Sequence, residues 1–167
     1  VTYKNMGMLC FGEKNNAVWS AKVQTVAAFL DSINFPYEVP HNMEHHMWGK
    51  FMLNTGVNQT VAVFSTNYGG IQATGEPRQV MIAAMREVID LSQKLGINLN
   101  EDDLSYWLNV LTDLNPSGMP SMRQDMAAGR KTEVELFAGT AITLGKKHGV
   151  PTPVNEWLYE KVKDMEK

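Results

Sequence analysis

The chain has 167 residues, 44% of them hydrophobic and 20% charged, which is typical of one soluble globular domain, or of one domain with a fragment of another. A net charge of −3, without a dense run of Lys or Arg, argues against a nucleic-acid-binding surface. No segment approaches the roughly 20 consecutive apolar residues of a membrane span, no basic-then-apolar leader opens the sequence, and one cysteine cannot form an internal disulfide. These features predict a cytoplasmic protein that binds neither nucleic acid nor a membrane.

The first forty residues show a mixed strand and helix pattern. Residues 1–12 predict two short strands, and Asn16 is a plausible N-cap for a helix that ends before Pro36. Residues 37–39 predict another brief strand. Because the chain opens with Val1 rather than Met and enters a strand directly, we expect it to be a piece of a longer polypeptide.

From residue 41 onward helical periods recur and no alternating segment is evident, so the fold class is mainly α. Gly96 and Asn100 suit the end of one helix and the start of the next. Residues 67–70 predict a loop, and Ser121 with Gln124 fits a capping box. The five predicted helices cover residues 43–64, 77–95, 100–111, 121–148 and 154–165.

A polar stripe marks the first of these helices. Lys50, Asn54 and Asn58 recur every fourth residue in an otherwise apolar segment, and at about 100° per residue they share one face. A solvated face would show many mixed charges, and this one shows a single Lys. The pattern favours a substrate-binding face, although the Asn side chains could instead cap a neighbouring loop.

A second constellation lies on the predicted fourth helix. Asp125, Gly129 and Glu133 again recur every fourth residue, and the small residues around Gly129 would let a ligand or another backbone come close. Taken alone, the two carboxylates are better explained as exposed helix charges, since unpaired carboxylates are rarely buried.

A histidine cluster, His41, His45 and His46 around Glu44, is a weaker signal. A histidine pair four residues apart on a helix can bind a metal, but no H-E-x-x-H order and no further Cys accompany this one. Solvated histidines at a helix entry explain the cluster better, and we predict no metal site.

Three segments together make the chain similar to a known family. These segments are Lys50-Phe-Met-Leu-Asn54-Thr-Gly-Val-Asn58, Pro120-Ser121-Met-Arg-Gln-Asp125 and Arg130-Lys-Thr-Glu133. In their order and spacing, and over essentially everything from Gly7 to the end, the chain resembles the ketopantoate reductases.

In that family an N-terminal Rossmann domain binds NADPH, and a C-terminal helical domain of the 6-phosphogluconate-dehydrogenase-like type supplies most of the substrate site. The resemblance implies that residues 1–40 are the tail, a short β/α remnant, of the nucleotide-binding domain and that residues 41–167 form the all-α substrate-binding and catalytic domain. It implies NADPH-dependent reduction of ketopantoate (2-dehydropantoate) to pantoate in pantothenate and coenzyme A biosynthesis. Because no G-x-G-x-x-G occurs, NADPH would be bound mainly by the missing domain, and the chain alone would be inactive.

The resemblance also implies roles for individual residues. Lys50 matches the proton donor to the carbonyl oxygen, and Glu133 matches the acidic residue near the reacting hydroxyl and the nicotinamide, hence both catalytic and cofactor-binding. Substrate binding falls to Asn54, Asn58 and Ser121, of which Ser121 helps to hold the carboxylate. Asp125, in the same motif, would have a supporting role, in orienting its neighbours or capping the helix.

One departure leaves the substrate open. A third family asparagine is expected at or beside Tyr68, where Asn67 is one place out of register. A paralogous reductase of another small-molecule 2-oxo acid therefore remains an alternative. A non-catalytic helical module for dimerisation or ligand binding is another, and a homodimer is compatible with any of these readings.

Overall fold

The computed structural model describes residues 7–167, which form two compact units. The first unit ends at Met47 and the second covers Trp48–Lys167, so the boundary lies inside the helix Met43–Val63. The first of the two strands predicted within residues 1–12 lies outside the described residues. The division into a nucleotide-binding tail at 1–40 and an all-α domain at 41–167 stays a prediction. None of the helices within residues 7–167 is long and apolar enough to span a membrane.

The first unit contains a small parallel sheet. Strand β1 (Leu9–Cys10) pairs with β2 (Tyr37–Glu38), and helix α1 (Ala21–Ser32) connects them, as a parallel crossover requires. The brief strand predicted after Pro36 is confirmed. The prediction of Asn16 as N-cap is wrong.

Asn16 has a different structural role. Its buried side chain donates hydrogen bonds to the backbone carbonyls of Glu13 (2.8 Å) and Pro40 (2.7 Å). The cap of α1 is Ser20, whose side chain accepts from the N–H of Val23. Asn16 thus joins segments 24 residues apart in sequence, which local capping preferences do not reveal.

The rest of the described chain is helical, which confirms the mainly α fold class. Seven α-helices, rather than five, follow residue 41 within the described residues, and a π-helical turn covers Glu135–Gly139. The α-helices are α2 (Met43–Val63), α3 (Tyr68–Gln72), α4 (Glu76–Lys94), α5 (Glu101–Thr112), α6 (Ser121–Ala127), α7 (Thr140–His148) and α8 (Pro153–Met165).

Local capping explains the boundaries that were predicted well. Gly96 adopts a left-handed φ of 77° just after α4, and Asn100 caps α5 in a reciprocal capping box with Asp103. The prediction of a loop at residues 67–70 is wrong. Asn67 instead accepts a hydrogen bond from the N–H of Gly70 and caps the short helix α3.

The long helix predicted over residues 121–148 is also wrong. Gly129 ends α6 with a φ of 64°, and the N–H of Arg130 donates to the carbonyl of Asp125 at 2.9 Å, which is a helix-terminating bond. The capping box predicted at the start of α6 is absent from the described residues, because Pro120 occupies the N-cap position and Ser121 is the first helical residue.

Helix α2 runs through the core of the second unit. Met52, Val57 and Val61 belong to one buried cluster with residues of α4 and α5, whereas Ala62 belongs to a second cluster with residues of α6, the π turn and α8. Phe51 packs against both clusters. The buried Met residues are core residues, as adaptable packing predicts.

A buried polar network joins α8 to this core. The carboxylate of Glu87, on α4, accepts hydrogen bonds from the backbone N–H groups of Val154 (2.7 Å) and Asn155 (3.0 Å) and from the Asn155 side chain (2.7 Å). Gln59, on α2, donates to the Asn155 side chain at 3.3 Å. Burial raises the pKa of Glu87, and the hydrogen bonds from Val154 and Asn155 oppose the rise.

Candidate active site

The polar stripe predicted on the first helix lies on α2. Lys50 is exposed, Asn54 is half-buried and Asn58 is only 8% exposed. All three belong to one unbroken helix, so the i, i+4 and i+8 spacing places them along one face. The stripe therefore runs from an ammonium group at the surface to a carboxamide in the interior.

The two carboxamides on this stripe have no hydrogen-bond partner among the described residues. Within residues 7–167, neither Asn54 nor Asn58 forms a side-chain hydrogen bond, and the atoms of Asn58 are not sealed from solvent. The alternative that these side chains cap a neighbouring loop is therefore not supported by any contact of the described residues. The carboxamide groups of Asn54 and Asn58 are therefore available to bind a polar ligand.

Trp107, on α5, fixes the outer end of the stripe. The Lys50 Nζ atom lies 5.5 Å from the centroid of the Trp107 ring, in cation–π range. Trp107 is 8% exposed, as expected for a core residue, and Tyr106 packs edge-on against its ring with ring centroids 5.3 Å apart. Sequence reasoning missed this contact because a single Trp on a helix face does not show which residue it meets.

Gly49 allows this approach, and its replacement provides a test. A Cβ atom at position 49 would overlap the Nε1 atom of Trp107, so we expect Gly49→Ala to displace the ring and lower the unfolding free energy by about 1–3 kcal/mol. Thermal unfolding followed by tryptophan fluorescence measures the loss. In a Trp107→Leu background the same substitution should cost much less, and an equal cost there would contradict the proposed overlap.

Ser121 and Asp125 lie on α6. Ser121 is exposed, and its hydroxyl forms no hydrogen bond with another residue of the described range. Asp125 instead pairs with Arg130 at 2.6 Å, so its interaction within the second unit is structural. Between them, Arg123 is half-buried and its Nε atom lacks a hydrogen-bond partner in residues 7–167, a feature that sequence reasoning did not identify.

Glu133 lies in the turn between α6 and the π turn. Because the helix breaks at Gly129, the predicted helical row of Asp125, Gly129 and Glu133 does not form. The Glu133 side chain is exposed, and its backbone carbonyl accepts from the N–H groups of Leu136 (2.9 Å) and Phe137 (3.3 Å).

The second buried cluster brings sequence neighbours of Ser121 and Glu133 against α2. Its members Met122 and Val134 adjoin Ser121 and Glu133 in sequence, and they pack with Phe51 and Ala62 of α2. On an ideal helix, Phe51 and Ala62 lie roughly 20–40° around the axis from Asn58. Met122 and Val134, the sequence neighbours of Ser121 and Glu133, therefore belong to the cluster that meets the face of α2 adjoining the polar stripe.

A separate groove of about 450 Å³ lies between the π turn, α7 and α8. None of the predicted site residues lines it. We place the candidate site at the stripe because the carboxamides of Asn54 and Asn58 have no hydrogen-bond partner among residues 7–167. The Glu135 and Tyr159 side chains that line the groove, in contrast, already bond each other.

Comparison with known proteins decides the family. The sequence profile described as "Ketopantoate reductase PanE/ApbA C terminal" matches residues 42–166. The chain belongs to this family. It contains Lys50, Asn54, Asn58, Ser121 and Glu133 within the matched range.

Relatives of the ketopantoate reductase family extend beyond this chain. The 2-dehydropantoate 2-reductase of Aquifex aeolicus is 24% identical over 93% of the chain and 51% of the relative. That of Salmonella typhimurium is 28% identical over 75% of the chain and 41% of the relative. The chain thus spans about half the length of the curated relatives it matches.

Solved structures show the same fold. A PanE/ApbA family ketopantoate reductase from Ralstonia eutropha aligns with a TM-score of 0.84 and 23% identity, over 98% of this chain and 53% of that protein. A D-mandelate dehydrogenase solved with NADH aligns with a TM-score of 0.83 and 20% identity, over 95% of this chain and 54% of that protein.

Proposed function

We propose that the protein containing this chain is a nicotinamide-dependent reductase of a 2-oxo acid, with ketopantoate as the first candidate. The observation that carries the proposal is the stripe of Lys50, Asn54 and Asn58 on α2, in which a surface ammonium group leads to two unpartnered carboxamides. The names of the relatives support the substrate, because those aligned are 2-dehydropantoate 2-reductases.

Lys50 suits the central chemical step. Reduction of a ketone develops negative charge on the carbonyl oxygen, and a positioned ammonium group stabilises this charge and delivers the proton. The Trp107 ring lies on one side of the Lys50 ammonium group. We propose that Lys50 directs its N–H bonds to the substrate oxygen.

The other residues of the site suit a substrate with a carboxylate and a hydroxyl group. We propose that the carboxamides of Asn54 and Asn58 bind the polar groups of the 2-oxo acid, since each can donate and accept hydrogen bonds. The exposed hydroxyl of Ser121 is available to donate to the carboxylate. Asp125, held by Arg130, would act only indirectly, by keeping α6 in place.

A nicotinamide cofactor, when bound, supplies the hydride. The exposed carboxylate of Glu133 suits a position beside the cofactor, because a carboxylate can accept hydrogen bonds from the hydroxyl groups of a ribose or of a substrate. We propose NADPH as the cofactor and a separate nucleotide-binding domain as its main site. The chain alone is then expected to be inactive.

Two further expectations belong to the same proposal. A ketopantoate reductase from Staphylococcus aureus is described as dimeric, and we propose that a homodimer is the arrangement to test here. A cytoplasmic location follows from the biosynthetic role and remains a prediction.

The substrate itself needs a direct test. The protein expressed from its complete reading frame should consume NADPH when given ketopantoate. Branched and aromatic 2-oxo acids form a panel of alternative substrates, each assayed separately. Benzoylformate belongs in the panel, because the D-mandelate dehydrogenases align with this fold. Selective turnover of another 2-oxo acid would reassign the substrate, and ligand binding without turnover of any would favour a non-catalytic module.

A further inference from the structure

The turn that carries Glu133 is held from the end of α8. The backbone N–H and the hydroxyl of Thr132 both donate to the Oε1 atom of Glu166, at 2.8 and 2.7 Å. The Glu166 side chain is 11% exposed. Burial acts to raise its pKa, but the hydrogen bonds from Thr132 and Lys163 lower it below the ordinary value. An ionised, nearly buried acceptor thus fixes the residue next to Glu133.

The same hydroxyl reaches across the turn. The Oγ1 atom of Thr132 accepts from the N–H of Val134 at 3.3 Å, while the carbonyl of Glu133 accepts from Leu136 and Phe137. The backbone is therefore fixed before, at and after Glu133. Among the described residues, nothing binds the Glu133 carboxylate itself.

A second contact holds the other side of the turn. Glu135 accepts from the hydroxyl of Tyr159 at 2.7 Å and pairs with Lys163 at 3.3 Å. Lys163 also pairs with Glu166 at 3.3 Å. Tyr159 and Lys163 of α8 thus bind Glu135, and the C-cap residue Glu166 binds Thr132.

We infer that these contacts, here called the α8 clamp and comprising Thr132, Glu135, Tyr159, Lys163 and Glu166, position Glu133 for the reaction. The inference rests on the proposed function, in which Glu133 meets the reacting hydroxyl or the cofactor. A reacting group must be held in place, and a displacement of about 1 Å can lower the rate about 100-fold. Thr132 and Glu166 are positioning residues, because they act through Glu133.

Substitutions at Thr132 test the clamp in the protein expressed from its complete reading frame. Thr132→Val keeps the shape but removes the hydroxyl, so we expect kcat to fall about 10- to 100-fold with a much smaller change in KM. Thr132→Ser keeps the hydroxyl and should retain near-normal kcat. Glu166→Ala removes the acceptor of both Thr132 bonds and should lower kcat in the same way. Asp164→Ala, at an exposed position of α8 where Asp164 pairs with Lys167, is its matched control and should leave kcat unchanged.

A double-variant experiment separates positioning from general destabilisation. In a Glu133→Gln background, Thr132→Val should lower kcat little further, because the clamp acts through Glu133. Thr132→Val and Glu166→Ala should likewise be non-additive. Full additivity with Glu133→Gln, or a normal kcat for Thr132→Val, would overturn the inference.

A measurement independent of activity distinguishes this inference from the proposed function. Hydrogen exchange at the amide of Val134 should accelerate in Thr132→Val and stay slow in Thr132→Ser, because only the serine variant keeps the acceptor. An inactive wild-type protein would refute the proposed function, whereas an active one with unchanged exchange in Thr132→Val would refute the clamp alone.

Discussion

Replacing Lys50 by Ala is expected to lower kcat about 10²- to 10⁴-fold, the usual contribution of a general acid. The substitution removes the only ammonium group on the α2 stripe, which we propose as both the counterion and the proton source for the charge that develops on the carbonyl oxygen. Because Asn54 and Asn58 remain, substrate binding should weaken much less. Steady-state kinetics with NADPH and the preferred 2-oxo acid measures both quantities.

Two control variants make this result specific. Lys50→Arg keeps the positive charge but not a proton that can be released near neutral pH. Compared with Lys50→Ala, it should therefore improve substrate binding more than it improves kcat. Lys94→Ala removes an exposed Lys from the last turn of α4 and should leave kcat unchanged. Near-normal turnover in Lys50→Ala would refute the assignment of Lys50 as the acid.

The α2 stripe could be predicted from sequence because its information is local. A helical period and a repeat of four residues are sufficient to place Lys50, Asn54 and Asn58 on one face. The boundary between α4 and α5 was predictable for the same reason, since Gly96 and Asn100 are themselves the cap residues.

The break after α6 could not be predicted in the same way. Glycine occurs within helices, so Gly129 alone does not show where one ends. The turn is stabilised by the contact of Thr132 with Glu166, 34 residues away in sequence. The contact between Lys50 and Trp107 also depends on the packing of two helices, so its geometry is not encoded in local spacing.

Replacing Glu87 by Ala is expected to lower the unfolding free energy by about 2–4 kcal/mol, because it leaves buried donors unpaired and opens a cavity. The Glu87 carboxylate binds two backbone N–H groups at the start of α8. Without it, the amides of Val154 and Asn155 should exchange faster. Thermal unfolding and hydrogen exchange measure these effects, and Asp90→Ala, an exposed acid on the same helix, should show neither.

The pH dependence of stability gives a second test of Glu87. Burial raises its pKa above the ordinary value of 4.5 in the folded state, so between that value and the raised pKa the folded protein binds more protons than the unfolded chain. The stabilisation from this group is therefore complete below pH 4.5 and is lost as the pH rises through the raised pKa. Relative to Glu87→Gln, which does not titrate, the wild-type protein should lose unfolding free energy over this window. If the unfolding free energy of the wild-type protein instead rose relative to that of Glu87→Gln as the pH increased, the hydrogen bonds from α8 would lower the pKa of Glu87 by more than burial raises it.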